Sequence, residues 1–201
     1  MVEHQLAGRG IRDERVLEAM ARVPRELFVP EDVRPRAYDD AALPIGHRQT
    51  ISQPAMVALI CELLALRGGE RVLDVGTGSG YQAAVLAELA EVVHSLERIP
   101  ALAERARETL DELGYAERVH VHVADGTLGW PESAPYGGIA VAAATRQPPP
   151  ALLEQLELRG RLVIPIGPPS QQFLRVYVQT PEGPAEFAAV PCRFVPLVSG
   201  S

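Results

Sequence analysis

Lysine is missing from this chain of 201 residues, and all 19 basic positions are arginine. That bias fits GC-rich coding or a hot habitat as readily as a surface function, so no functional reading rests on it. Cysteine is scarce. Cys61 and Cys192 lack the C-x-x-C spacing of a metal or redox pair, so both are expected to be structural thiols and no metal site is expected. Long apolar runs are missing too: the longest, around Val57 to Leu66, is broken by Glu62 and falls short of the ~20 residues that span a bilayer. The opening Met1-Val2-Glu3-His4-Gln5 shows no basic stretch followed by an apolar one, which points to the cytoplasm and away from a membrane. Positive charge is in deficit. A net charge of −7 is the wrong sign for neutralising phosphates, so nucleic acid is not an expected partner.

What is present is ordinary globular composition, 47% apolar and 22% charged, at a length that fits one domain. Apolar residues at Val16, Leu17, Met20 and Val23 mark a helical face over Asp13 to Val23, with Asp13 as its cap and Pro24 beyond its end. From Pro24 to Thr50 the periodicity dissolves among Pro30, Pro35, Pro44 and Gly46, which reads as a long ordered loop; loops of that length are usually functional. A second helix is expected from Ser52, a candidate cap, with Pro54 in its first turn.

Strands and helices then alternate. Strands are expected at Arg71–Val75, Val92–Leu96, Val119–Val123 and Gly138–Ala143, with helices over Ser79–Ala90 and Pro100–Leu113. Short apolar runs separated by helices imply a parallel sheet covered on both faces. After one more helix from the Pro148-Pro149-Pro150 run to about Leu158, strands at Arg161–Ile166, Phe173–Gln179 and Ala185–Val190 follow without helices between them. The expectation is a doubly wound α/β sheet with an N-terminal helical cap and an antiparallel C-terminal edge.

The densest signal is Val72 to Tyr81, a strand that ends in Gly76-Thr77-Gly78-Ser79-Gly80 and opens a helix. Ligands of such sheets bind beyond the carboxyl ends of the strands, and glycines let the backbone approach them. The spacing is G-x-G-x-G, not the G-x-G-x-x-G of dinucleotide sites. Asp74, just ahead of the turn, would repel a pyrophosphate and attract an ammonium or sulfonium group. Glu97 follows the second strand 21 positions after Gly76, near the ~20 expected of an acid that accepts both ribose hydroxyls. Asp125-Gly126 lies beyond the third strand, where an Asp accepts from an adenine amino group. Each feature has a plainer reading as a tight turn, a solvated acid or an Asp-Gly turn. Together they describe an adenosine site without a phosphate contact, and the expected ligand is S-adenosyl-L-methionine.

The methyl acceptor comes from resemblance. Ala42 to Pro54, with Val23 to Pro30, Arg36-Ala37-Tyr38, Glu97-Arg98, Asp125-Gly126 and Arg193 to Leu197, resembles the protein-L-isoaspartate O-methyltransferases over nearly the whole chain. The resemblance implies a Rossmann-like methyltransferase sheet that transfers a methyl group to the free α-carboxylate of L-isoaspartyl residues in damaged proteins or peptides. The ester then closes to a succinimide that reopens partly to aspartate. It also implies Ser52 as the active-site serine, cofactor contacts at Gln49, Thr50, Ile51, Ser52, Val57, Gly76, Gly80, Glu97, Arg98, Asp125 and Gly126, and a substrate border along Val195, Pro196 and Leu197. With Asp74 and Gly78 from the turn, these are the expected site. In this reading residues 1–53 form the cap and active-site loop, and 54–201 the cofactor-binding core with its C-terminal strands.

Displacement at a sulfonium methyl by an ionised carboxylate needs alignment more than a base. Ser52 is therefore expected to orient the carboxylate, as well as or instead of capping its helix, and His47 to stabilise its loop. Arg48 stands where the resemblance leads one to expect glycine or an apolar residue, and reads as a solvated loop arginine. Gly137 and Ala142 stand where relatives tend to carry Asp and Thr, expected losses of polar lining at the fourth strand. At this point an enzyme for another carboxylate acceptor and a non-catalytic cofactor-binding protein stay open, with a nucleotide-dependent dehydrogenase behind them.

Overall fold

A computed structural model describes residues 1–200, apart from the side chains of Glu3, Ala188 and Ala189; Ser201, the last residue of the expected core, lies outside the described residues. Asp13 caps the first helix as expected: its side chain accepts from the Arg15 N–H at 2.9 Å, and α1 runs Glu14–Arg22 with Val16, Ala19 and Met20 buried. The stretch expected to be a loop is more structured than that. It makes two 3₁₀ turns, Arg25–Phe28 and Glu31–Arg36, and then an antiparallel hairpin, β1 (Leu43–Gly46) with β2 (Gln49–Ile51). Elements of three to six residues are too short to show a period.

α2 spans Pro54–Leu64 with proline in its first turn, but Gln53 holds the cap position and no side chain caps it. Ser52 is therefore not the helix cap. The parallel strands β3 (Arg71–Val75), β4 (Val92–Glu97), β5 (Val119–Val123) and β6 (Tyr136–Val141) lie close to expectation, with α3 (Tyr81–Ala87) and α4 (Pro100–Glu112) between them. α3 starts later than expected because Gly80, at φ +90, turns the chain at its N-terminus. α5 (Pro150–Glu154) is cut short. The Gln155 carbonyl accepts from the Tyr136 N–H at 2.8 Å, which commits the chain to β7 (Leu156–Ile166), paired parallel to β6. β8 (Gln172–Thr180) and β9 (Gly183–Cys192) complete the sheet antiparallel.

The sheet order is β5-β4-β3-β6-β7-β8-β9. Alternate residues of its central strands bury on opposite sides, the period of two that a sheet imposes. Val72, Val93, Ala140 and Val163 join the core under α1 to α4, together with Leu6, Met20 and Phe28 of the N-terminal segment. Leu73, Val75, Ile139, Val141 and Leu162 pack on the other side with Leu152 of α5. The order reverses between β3 and β6, and a crevice opens at such a switch point. Among the described residues no helix is long and apolar enough to cross a membrane, and no cluster of three metal-ligating side chains occurs.

Candidate active site

Beyond the carboxyl ends of β3, β4 and β6 lies a cleft enclosing about 1090 Å³ of empty space, part of it open to solvent. That size suits a ligand of nucleoside dimensions, since pockets usually run ~300–1,000 Å³. One wall is backbone. The Gly76 and Thr77 N–H groups both donate to the Leu96 carbonyl, at 2.9 and 3.1 Å, which docks the glycine turn on the end of β4. The Glu97 side chain accepts from the Gly78 N–H at 2.9 Å and from the Ile99 N–H at 3.0 Å. Glu97 is 7% exposed and lines the cleft. Each of its oxygens keeps a lone pair for a further donor, such as a ribose hydroxyl.

Two glycines fit their places for identifiable reasons. Gly76 turns at φ +98, and a Cβ there would touch Ala142 at 3.5 Å. At Gly126 a Cβ would stand 2.4 Å from Cγ1 of Val75, so only a bare backbone lets the loop after β5 close on the end of β3.

Three expected contacts do not face the cleft. Asp74 is fully buried beneath the turn, where it accepts from Ser95 Oγ at 2.7 Å and Gln82 Nε2 at 2.8 Å. Burial pushes its carboxyl up to about 6, with those two hydrogen bonds opposing and Glu97 adding repulsion. Asp74 therefore braces the strand end and presents no carboxylate to a ligand; the acid on the cleft wall is Glu97. Gly80 packs against Ala106 and Leu110 of α4. Asp125 caps the next turn, accepting from the Thr127 N–H at 2.8 Å and from the Gly200 N–H at 2.6 Å. Burial opposes its ionisation, yet these bonds win and hold its carboxyl below the usual range.

The opposite wall comes from the N-terminal segment and the chain's end. Gln49, Thr50, Ile51, Ser52 and Val57 line it, with Arg98 and Val195, Pro196 and Leu197 at the border. The last three are held by Ala144, whose N–H donates to the Val195 carbonyl and whose carbonyl accepts from the Leu197 N–H, both at 2.7 Å. Ser52 is anchored from behind. Arg25, fully buried, donates from Nη2 to the Ser52 carbonyl at 2.8 Å and from Nε to the Ala37 carbonyl at 2.7 Å. Its guanidinium lies 4.8 Å above the Tyr81 ring, and its Nη1 has no partner among the described residues. Burial lowers its pKa, with Tyr81, Tyr38 and Asp40 opposing.

Arg25 appears in the sequence only as one charge between Pro24 and Leu27, and nothing local reveals that it reaches Ser52. Arg48 is exposed, as a solvated loop arginine is expected to be, and also lines the cleft; it stands with His47 in the left-handed region at φ +58 and +49, a conformation costing ~1–2 kcal/mol without glycine. The two expected losses of polar lining separate. Ala142 is on the cleft wall, but Gly137 sits at the far end of β6, where a Cβ would meet Glu70 at 2.6 Å and Glu157 at 3.0 Å. An aspartate there would face two acids and line nothing at the cleft.

Comparison with known proteins gives a consistent answer. The profile of the family described as "Protein-L-isoaspartate(D-aspartate) O-methyltransferase (PCMT)" matches residues 1–201. Protein-L-isoaspartate O-methyltransferase 2 of Anaeromyxobacter sp. (strain Fw109-5) is 57% identical over 100% of this chain and 82% of its own length. The protein of the same name from Marinobacter nauticus is 56% identical over 98% and 91%. Among solved structures, a Plasmodium falciparum protein described under the same family name and holding S-adenosyl-L-homocysteine superposes with a TM-score of 0.86 at 26% identity, covering 99% of this chain and 97% of its own.

Proposed function

This chain belongs to the protein-L-isoaspartate(D-aspartate) O-methyltransferase family, and from that premise we infer that it methylates the free α-carboxylate of L-isoaspartyl residues in damaged proteins and peptides. The observation that carries the reading is a single cleft with two unlike walls: the Gly76–Gly78 turn with Glu97 on one side, and Gln49–Ser52 with Val195–Leu197 on the other. The first wall fits S-adenosylmethionine. It offers glycine backbone where a side chain would fill the space and a carboxylate with free lone pairs for the ribose. Gly126 completes that wall, and Val57 faces it from the other side of the cleft.

When bound, S-adenosylmethionine supplies a methyl group on a sulfonium sulfur, whose transfer to a carboxylate makes an O–CH₃ bond as the S–CH₃ bond breaks, with no proton to move. The chain's residues then have one task, to hold donor and acceptor as a near-attack pair, which supplies up to ~7–11 kcal/mol of a barrier. Ser52 donates from its hydroxyl to the acceptor carboxylate and does not attack covalently. Arg25 fixes the Ser52 backbone, and its buried positive charge adds an attractive field for an anionic acceptor. Val195 to Leu197 form the edge along which the substrate backbone lies. Residues 1–53, with Val57 and Val195 to Leu197, build the acceptor side, and the rest of 54–201 the donor side. The two free thiols, Cys61 and Cys192, agree with action in the reducing cytoplasm.

The test is methyl transfer from methyl-labelled S-adenosylmethionine to an isoaspartyl peptide beside its aspartyl isomer. Base-labile methyl ester on the isoaspartyl peptide alone is expected. Equal background counts on both would overturn the assignment, and calorimetric cofactor binding in that case would leave a binding protein or an enzyme for another acceptor.

A further inference from the structure

The turn of the β1–β2 hairpin is made by His47 and Arg48, between Gly46 and Gln49, which pair across it. A two-residue hairpin with positive φ at both central positions is ordinarily filled by Asn-Gly or a glycine pair. Here neither residue is glycine or asparagine, and both are held in the left-handed region. A strained position at a binding cleft points to a function of the side chain.

Arg48 lines the cleft on its acceptor side and is exposed. Some exposed arginines of this acidic chain reach an acid, as Arg9 does Asp40, Arg36 does Asp39 and Arg118 does Glu88; among the described residues, Arg48 and its cleft neighbour Arg98 do not. Arg48 makes no ion pair or side-chain hydrogen bond among the described residues. Its guanidinium thus stands without a counter-ion at the cleft, next in the chain to the lining segment Gln49 to Ser52.

We propose that Arg48 is a specificity-determining residue that selects isoaspartyl substrates carrying an acidic side chain next to the damaged residue. The proposal rests on the methyltransferase reading above and adds to it the charge of the preferred substrate. An exposed pair in water gains little, so the expected preference is about three- to fivefold, and it shrinks in high salt because exposed charges are screened over ~3–10 Å.

The experiment measures kcat/KM for three isoaspartyl peptides that differ only in carrying Glu, Gln or Lys beside the isoaspartyl residue. The wild-type enzyme should rank them Glu, Gln, Lys, with Arg48→Gly levelling the ranking and Arg48→Glu inverting it. Arg159→Gly is the control: Arg159 is also exposed and left-handed, at φ +70, but lies toward the start of β7, at the opposite end of the sheet. That variant should keep the wild-type ranking. The proposal is overturned if Arg48→Gly lowers all three values equally, if the ranking survives it, or if Arg159→Gly levels the ranking as well. Absence of methyl transfer to all three peptides by the wild-type enzyme removes the premise and the proposal with it, whereas three good substrates without a ranking overturn the proposal alone.

Discussion

The two walls of the cleft are built differently. The donor wall hangs on the sheet: the Gly76 and Thr77 N–H groups grip Leu96, Glu97 is bonded at both oxygens, and Asp74, Ser95, Gln82 and Thr77 form a buried network beneath. The acceptor wall hangs on a few side chains that reach distant backbone. Arg25 reaches Ala37 and Ser52, and Arg105 reaches the Ile45 carbonyl at 3.3 Å. The donor wall is fixed by many shared constraints, so damage there is paid in stability as well as in cofactor affinity. Damage to the acceptor wall should fall on alignment and leave cofactor binding intact.

The strongest challenge to the donor wall is Gly126→Val. The added carbons have no room against Val75, and overpacking of this kind costs ~1–3 kcal/mol. We expect a stability loss at the top of that range and at least a tenfold weaker binding of S-adenosylhomocysteine by calorimetry. Unchanged affinity would show that the wall yields.

Asp74→Asn probes the network through pH. In the folded chain its carboxyl is pushed up to about 6 from 3.8, so between those values the unfolded chain releases a proton that the folded chain keeps. Stability therefore falls as pH rises through that window, by at most about 3 kcal/mol, and levels off above it. Asn keeps the shape without the charge. Urea unfolding from pH 4 to 7 should lose this component of its slope in the variant, and a wild-type-like slope would contradict the buried placement of Asp74.

On the acceptor wall, Arg25→Met leaves the Ala37 and Ser52 carbonyls without their donor, at ~1–3 kcal/mol, less whatever the removal of an unpaired buried charge returns. We expect kcat on an isoaspartyl peptide to fall at least tenfold with the dissociation constant of S-adenosylhomocysteine within twofold of wild type. An equal loss in both would erase the distinction between the walls. Arg25→Lys, which keeps the charge but not the fork, should recover only part of kcat. The smallest effect is His47→Asn, which relieves a left-handed position that Asn tolerates and should raise stability by ~0.5 kcal/mol in thermal unfolding.

Most of the donor wall was legible in the sequence because its parts are local. The strand and its glycine turn are contiguous, Glu97 falls at a characteristic spacing, and the strands of the sheet show as short apolar runs separated by helical patterns. Asp74 was misplaced because sequence gives the order of residues along a strand but not which side of its end a carboxylate takes; at this position it turned under the glycine turn toward Ser95 and Gln82. The acceptor wall was legible only through resemblance. Its 3₁₀ turns and three-residue strand carry no period, and the Arg25 to Ser52 bond spans 27 positions with no local pattern to betray it. Gly137 shows the same limit in reverse: only a few positions ahead of Ala142 on the cleft wall, it belongs to the far end of the sheet.

The most direct test of the two-walled cleft is a crystal structure with S-adenosylhomocysteine and an isoaspartyl peptide together. The account predicts the ribose on Glu97, the sulfur turned toward Ser52, and the peptide's free α-carboxylate at the Ser52 hydroxyl with its backbone along Val195 to Leu197. A nucleoside bound elsewhere, or a carboxylate reaching the sulfur without touching Ser52, would contradict it.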